Sequence, residues 1–306
     1  MRDKERFAPV FVLATARSYS SVVTAMVGSN PDMVGLPELK LFLYPTIGEL
    51  AASLPEYWRK RGVTHRSPGL VRAVAEFLFG DQSAASITSA QAWLRERPHW
   101  SGAKALDVLL ENIYPQTAIE KSPENVMTPV ALRRLSTAYP RARYLHITRH
   151  PASTMRSMQE HWHRTMPNQP FDELELSCVV SWLDINQRIC RFGATLEGDR
   201  YLKVRAEDVL NQSVAQLRSI ARWLGVRADD DAVAAMCHPE TSPFACFGPP
   251  DTGVIGGGDP GFLASPIPRR AVLPHTLEQP AGATVDPALW SMTTALATHL
   301  GYHHCP

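Results

Sequence analysis

Two short segments hold residue types that grip anions. Thr15-Ala16-Arg17-Ser18-Tyr19-Ser20-Ser21 lies between an apolar run and a stretch with helical spacing. Consecutive backbone N–H groups, hydroxyls and a guanidinium there make an anion site at a helix N-terminus. An ordinary serine-capped helix fits the same letters. The second segment runs from Arg149 through Pro151 to Ser157. An Arg at a strand's carboxyl end, with a Ser two helical turns on, clamps an anionic group from two sides, at the edge where open parallel sheets hold ligands. Its bland alternative is a solvated Arg beside a helix-surface Ser. Neither segment reads G-x-x-x-x-G-K-[ST], so the Gly and Lys spacing that cradles ATP phosphates is missing.

The elements that must position these segments follow from the apolar pattern. Pro9 to Ala14 is a short run of β-formers and reads as a fully buried strand. Val22, Val23, Met26 and Val27 follow at helical spacing behind Ser20 and Ser21, so a helix starts directly after the strand. The alternation recurs: a short strand at Thr117–Glu120 and a helix at Pro129–Tyr139, then a strand at Arg143–Thr148 and a helix opening at Pro151. Cys178–Leu196 reads as a long amphipathic helix, Tyr201–Val204 as a strand, and Asn211–Leu224 as a helix stopped by Gly225. Such an order predicts an α/β fold, a central parallel sheet flanked by helices. Two regions break the rhythm. Residues 51–105 read as a helical insertion, carrying Trp58, Trp93 and Trp100. From Cys237 onward the last 70 residues hold 11 of the 25 prolines, so 238–285 reads as an irregular closing loop before a final helix at about Pro287–Leu300. Loops of that length in a compact chain usually serve function.

Composition narrows the function classes. The chain has 306 residues, 44% hydrophobic and 20% charged, enough for one large α/β domain over residues 1–306 and incompatible with global disorder. Lys plus Arg is 31 and Asp plus Glu 30, a net charge of +1 that argues against a nucleic-acid or anionic-membrane binder while permitting a local basic pocket. No apolar run reaches membrane-spanning length, and the first residues do not read as a signal peptide. The five cysteines, Cys178, Cys190, Cys237, Cys246 and Cys305, are odd in number and lack CxxC spacing. They read as reduced thiols of a cytoplasmic protein, and no metal site is expected.

The two anion segments together resemble the paired nucleotide-binding motifs of the sulfotransferase superfamily, whose members use 3′-phosphoadenosine-5′-phosphosulfate. The likeness continues through Pro37-Glu38-Leu39, Glu120-Lys121-Ser122-Pro123, Tyr201 to Val209, Trp223-Leu224-Gly225, and Gly257-Gly258-Asp259-Pro260-Gly261-Phe262. It covers roughly 10–40, 115–160 and 200–262 and is most similar to bacterial, polyketide-pathway and tyrosylprotein branches. The resemblance implies a P-loop-like fold and in-line transfer of a sulfuryl group to a hydroxyl of a small-molecule acceptor, such as a hydroxylated lipid or polyketide. Positioning and side-chain cations, without a metal, would do most of that work. It further implies that Arg17, Ser18, Tyr19, Ser20 and Ser21 hold the 5′-phosphosulfate, and that Arg149 and Ser157 hold the 3′-phosphate. Lys121 takes the place of a catalytic lysine and Glu38 that of the general base, with Arg17 assisting the transfer. For Glu38 a pKa raised toward working pH by burial is expected. Arg205 either reaches the nucleotide or pairs with Glu207 or Asp208.

One residue departs from the family pattern. Tyr19 stands where the family has Gly, so either its φ is negative or the loop is strained. That departure supports a rival reading, a catalytically silent nucleotide-binding module. A P-loop small-molecule kinase is a further alternative, disfavoured by the missing Walker lysine. Among the histidines, His161 ranks second to Glu38 as base. His146 reads as a packed core residue, His150 as a variable motif position, His163 as a solvated helix end, and His303 and His304 as inert. The pocket for the acceptor is expected from 40–105 and 160–175.

Overall fold

The computed structural model describes residues 7–60, 62–165, 171–279 and 284–303. Five parallel strands form one sheet: β1 (Val10–Leu13), β2 (Met33–Leu36), β3 (Thr117–Lys121), β4 (Arg143–Thr148) and β5 (Tyr201–Arg205), in the spatial order β2-β3-β1-β4-β5. The helices in chain order are α1 (Ser20–Gly28), α2 (Ile47–Ala52), α3 (Glu56–Arg59), α4 (Pro68–Phe79), α5 (Ala84–Arg95), α6 (Gly102–Ile113) and α7 (Pro129–Ala138). After them come α8 (Pro151–Thr165), α9 (Phe171–Gly193), α10 (Ala206–Asn211), α11 (Ser213–Leu224), α12 (Asp230–Met236), α13 (Pro260–Ala264) and α14 (Pro287–His299).

The centre of the sheet explains the layers. All four residues of β1 are buried, and they alternate: Phe11 and Leu13 pack with α4, α6 and α7, whereas Val10 and Val12 pack with α1, α10 and α11. A strand buried on both faces reads as a continuous apolar run, which is why it stood out in the sequence. A third cluster joins Met155, Met158, Trp182, Trp290 and Tyr302 of α8, α9 and the C-terminal region. Register brings Val12 beside Lys121, Leu13 beside His146 and Thr148 beside Arg205, so the strands end at about one level. The chain leaves β1 toward β2 on one side of the sheet and leaves β4 toward β5 on the other, which makes the adjacent carboxyl ends of β1 and β4 a topological switch point.

Three sequence readings are refined. Met33–Leu36 is a strand that the apolar pattern did not show. It lies so close to α1 that a Cβ on Gly28 would sit 2.4 Å from the Gly35 backbone, an approach only glycine allows. The helix expected over Asn211–Leu224 starts at Ser213, and a separate short helix, α10, precedes it, the two parted at Gln212, whose ψ of 44 leaves the helical region. The long helix expected from Cys178 begins earlier, at Phe171, and ends at Gly193. The 51–105 stretch is helical, and over 238–279 the described residues hold only α13 and the 3-10 turns Pro239–Thr241 and Pro250–Thr252. His304 and Cys305 lie outside the described residues; the other four cysteines are free thiols.

Candidate active site

The loop that follows β1 carries three hydroxyls and one guanidinium toward the carboxyl end of the sheet. Arg17 and Tyr19 both have left-handed backbone, φ 64 and φ 59, a conformation that costs a non-glycine residue about 1 kcal/mol or more. Tyr19 thus follows the strained alternative. It occupies the N-cap of α1, and no side chain caps that helix. The first N–H groups of a helix have no partner within it. Here they stay unblocked, and Ser20 and Ser21 line the adjoining cavity instead of capping.

What holds this costly loop is Arg149, the first residue past β4. Its guanidinium lies 4.0 Å from the centroid of the Tyr19 ring, and Nη1 donates to the Arg17 carbonyl at 2.7 Å. Trp182 Nε1 donates to the Arg149 carbonyl at 3.1 Å, fixing the turn from α9. Arg149 Nε is buried without a hydrogen-bond partner. Burial holds the Arg149 pKa below its usual value, a sign that its charge is incompletely solvated. From α8, Ser157 Oγ accepts from Arg17 Nε at 3.1 Å. The two anion segments are therefore one structure.

Beyond Arg17 the C-terminal loop closes over α1. Asp259 pairs with Arg17 through Nη1, its backbone N–H donates to Ser21 Oγ at 3.0 Å, and its Oδ1 caps α13 by accepting from Gly261 and Phe262. Arg72 of α4, fully buried, holds this loop in place. It donates to the carbonyls of Cys246 and Gly256 at 2.7 Å each, and to Gln82 Oε1 at 2.6 Å.

On the β2–β3 side stands a chain of alternating charges. Glu38, two residues past β2, pairs with Lys121 Nζ at the end of β3. Lys40 Nζ lies 3.8 Å from the other Glu38 oxygen and 2.7 Å from Glu124 Oε1. Burial pushes the Glu38 carboxyl up, but Lys121 and Lys40 together outweigh it, and the net pKa is below the ordinary value. This differs from the raised pKa expected on burial alone, because sequence reasoning missed Lys40. The Glu38 main chain is wedged between glycines: its N–H donates to Gly257 O at 2.7 Å, and a Cβ on Gly69 would sit 2.4 Å from Glu38 O. Beneath it, Glu120 is buried and accepts from Leu39 N at 3.2 Å, Asn125 Nδ2 at 2.9 Å and Ser122 Oγ. Burial raises the Glu120 pKa to about 7.

Arg17, Ser18, Tyr19, Ser20, Ser21, Glu38, Lys121, Arg149, Ser157 and His161 all line one cavity of about 950 Å³, open to solvent. A second cavity of about 910 Å³, between α6 and α7, holds none of them. Burial, then the charges of Arg17 and Arg164, lower the pKa of His161, which keeps its imidazole neutral at neutral pH. Arg205 is not among the lining residues. It takes the structural course, donating to Asp208 from Nε at 2.7 Å and from Nη2 at 3.0 Å, and to Gly301 O. His146 is fully buried between Tyr201 and Asn186, as expected of a core residue. Sequence reasoning also missed the parts played by Asp259, Glu124 and Trp182. Asp259 alone stood inside a quoted motif. No group of three or more His, Cys, Asp and Glu among the described residues is placed to hold a metal ion. No described helix is long and apolar enough to cross a membrane.

A sequence profile described as "Sulfotransferase family" matches residues 9–230. Among solved structures, the sulfotransferase domain from the curacin biosynthetic pathway superposes with a TM-score of 0.76 at 22% identity, covering 97% of this chain and 98% of that one. The sulfotransferase domain from the Synechococcus PCC 7002 olefin synthase gives 0.69 at 23% identity, covering 99% and 98%. None of the curated protein sequences matches significantly.

Proposed function

The chain belongs to the sulfotransferase family, and from that premise we propose that it moves a sulfuryl group from 3′-phosphoadenosine-5′-phosphosulfate to a hydroxyl of a small-molecule acceptor, a hydroxylated lipid or polyketide in the first instance. The observation that carries the reading is the contact between the two anion segments. Arg149 donates to the Arg17 carbonyl while Arg17 donates to Ser157, so a single nucleotide reaches both. The fit is supported by the uncapped start of α1 and by the buried, unpartnered Nε of Arg149. A phosphate would satisfy both, the first through N–H groups and the helix dipole and the second through charge-assisted hydrogen bonds.

In this reading Ser18, Ser20, Ser21 and the N–H groups of α1 bind the 5′ end, and Arg149 with Ser157 binds the 3′-phosphate. The donor supplies an activated S–O bond whose cleavage leaves the bisphosphate nucleotide. Glu38 accepts the proton from the acceptor hydroxyl at its carboxylate, which Lys121 and Lys40 keep ionised. Lys121 and Arg17 meet the negative charge that develops as the sulfuryl group passes, an electrostatic role that needs no proton transfer. Donor binding frees Arg17 from Asp259 by offering a more highly charged partner. The 51–105 insertion acts as the acceptor lid, because Leu54, Trp58 and Val63 line the cavity. The free thiols support a reducing, cytoplasmic compartment.

The test is transfer of labelled sulfate from the donor to a panel of alcohols. Glu38→Gln is expected to lower kcat about 10²- to 10⁴-fold with nucleotide affinity unchanged, the usual reach of general-base catalysis. Because Glu38 titrates below the ordinary glutamate range, the acid limb of kcat/KM should fall there too, leaving the rate flat through neutral pH. Unchanged turnover in Glu38→Gln removes it as the base. Tight binding of the product nucleotide with no turnover of any alcohol supports the silent module instead.

A further inference from the structure

On the acceptor side of the cavity one charge is left over. Lys121 and Lys40 are matched there by Glu38 and Glu124. Arg66 also lines this cavity, close enough to Lys40 for the two charges to repel. No described carboxylate pairs with it, and its Nε is buried without a hydrogen-bond partner. Its backbone is tied to the catalytic segment: Ser67 N–H donates to His65 Nδ1 at 3.0 Å, and Ser67 Oγ donates to the Glu38 carbonyl at 2.9 Å. Two more lining cations lack a described carboxylate partner, and the first, Arg149, belongs to the donor side under Tyr19. Arg269 is exposed and donates to Ser265.

The same cavity gathers exposed apolar side chains that a soluble surface would normally scatter. Trp58, Met127, Val180, Phe247, Ile255 and Ile267 are each more than a third exposed, and all six line it. Clustered exposed apolar surface marks a binding site.

We infer that the acceptor is an amphiphilic hydroxy acid: an apolar body against these six residues, a hydroxyl at Glu38 and a carboxylate on the Arg66 guanidinium. A single uncompensated charge suits a monoanion better than a dianionic phosphate, which would need a second cation. The planar fork of Arg matches a carboxylate with two hydrogen bonds. The inference rests on this cavity being a sulfotransferase site, and its test separates the two.

The experiment measures binding of hydroxydecanoates, with the hydroxyl moved along the chain, and of their methyl esters to the intact chain, with and without 3′-phosphoadenosine 5′-phosphate. Wild type should bind the best acid at least about tenfold more tightly than its ester. Arg66→Gln should abolish that preference by weakening the acid alone, and Arg66→Lys should restore part of it. Nucleotide affinity should be the same in all three proteins. Equal binding of acid and ester to wild type overturns the inference, as does an Arg66→Gln protein that loses both or binds nucleotide more weakly. Should wild type bind no nucleotide yet keep an Arg66-dependent preference for the acid, the sulfotransferase reading fails and the hydroxy-acid site stands.

Discussion

Arg149→Ala separates the two jobs of this side chain, because structure and ligand make opposite demands on it. In the free protein its guanidinium contributes one hydrogen bond, to the Arg17 carbonyl, and a face-on contact with Tyr19. These are worth about 1 kcal/mol each. Against them stands a largely buried charge with no ion-pair partner among the described residues and an unsatisfied Nε, a cost of similar size. Stability should therefore change by no more than about 1 kcal/mol, a few degrees in Tm at most for a chain this long. With the nucleotide bound the balance is different. Removing the cation leaves a desolvated 3′-phosphate unpaired, a cost of about 2–5 kcal/mol, or about 30- to 5,000-fold in affinity. Calorimetric titration with 3′-phosphoadenosine 5′-phosphate and with adenosine 5′-phosphate reads the difference. The variant should lose at least about tenfold more affinity for the bisphosphate than for the 5′-monophosphate, whose loop loses only the contacts to the Arg17 carbonyl and the Tyr19 ring. Equal weakening for both ligands would refute the assignment of Arg149 to the 3′ end.

Three further outcomes follow from other parts of the site. Asp259→Asn keeps the cap on α13 but removes the carboxylate competing for Arg17, so the bisphosphate nucleotide should bind about three- to tenfold more tightly; weaker binding would mean that Asp259 stays on Arg17 in the complex. Arg72→Met leaves the Cys246 and Gly256 carbonyls unpaired in the interior, and should cost about 2–4 kcal/mol and raise hydrogen exchange across 243–258; unchanged exchange there would deny that Arg72 clamps the loop. Glu120 is favoured in its protonated form by burial, so its contribution is full below the unfolded glutamate pKa and fades as pH rises through about 7. The gap from the ordinary 4.5 to about 7 corresponds to about 3 kcal/mol, so Glu120→Gln should flatten the loss of stability in urea titrations between pH 5 and pH 8.5; an unaltered pH dependence would place the titrating group elsewhere.

Most of the sheet and one half of the site were legible in the residues. β1 declared itself because burial on both faces demands an unbroken apolar run, and Arg17 and Arg149 stood out because each lies in the segment that follows a strand. The β2 strand stayed hidden. Its four residues include Gly35, the backbone against which Gly28 of α1 packs, so the pattern carries no periodicity. Glu38 was found, but the sign of its titration was not. That depends on Lys40 and Lys121, and Lys121 lies more than eighty residues away in sequence. Arg66 gave no local signal at all. Its significance is that no described carboxylate pairs with it and its Nε is buried without a partner, which only the folded chain can show. Arg205 stood in a motif segment, yet Asp208, one helical turn on, claims it.

A crystal structure with 3′-phosphoadenosine 5′-phosphate tests the central claim most directly. It should show one nucleotide with its 5′-phosphate on the N–H groups and hydroxyls of Ser18, Ser20 and Ser21. The 3′-phosphate should lie within hydrogen-bond distance of Arg149 and Ser157, with Arg17 turned away from Asp259. A nucleotide seated elsewhere, or one that touches the β1 loop while Arg149 remains folded onto Tyr19 without a phosphate, would contradict it.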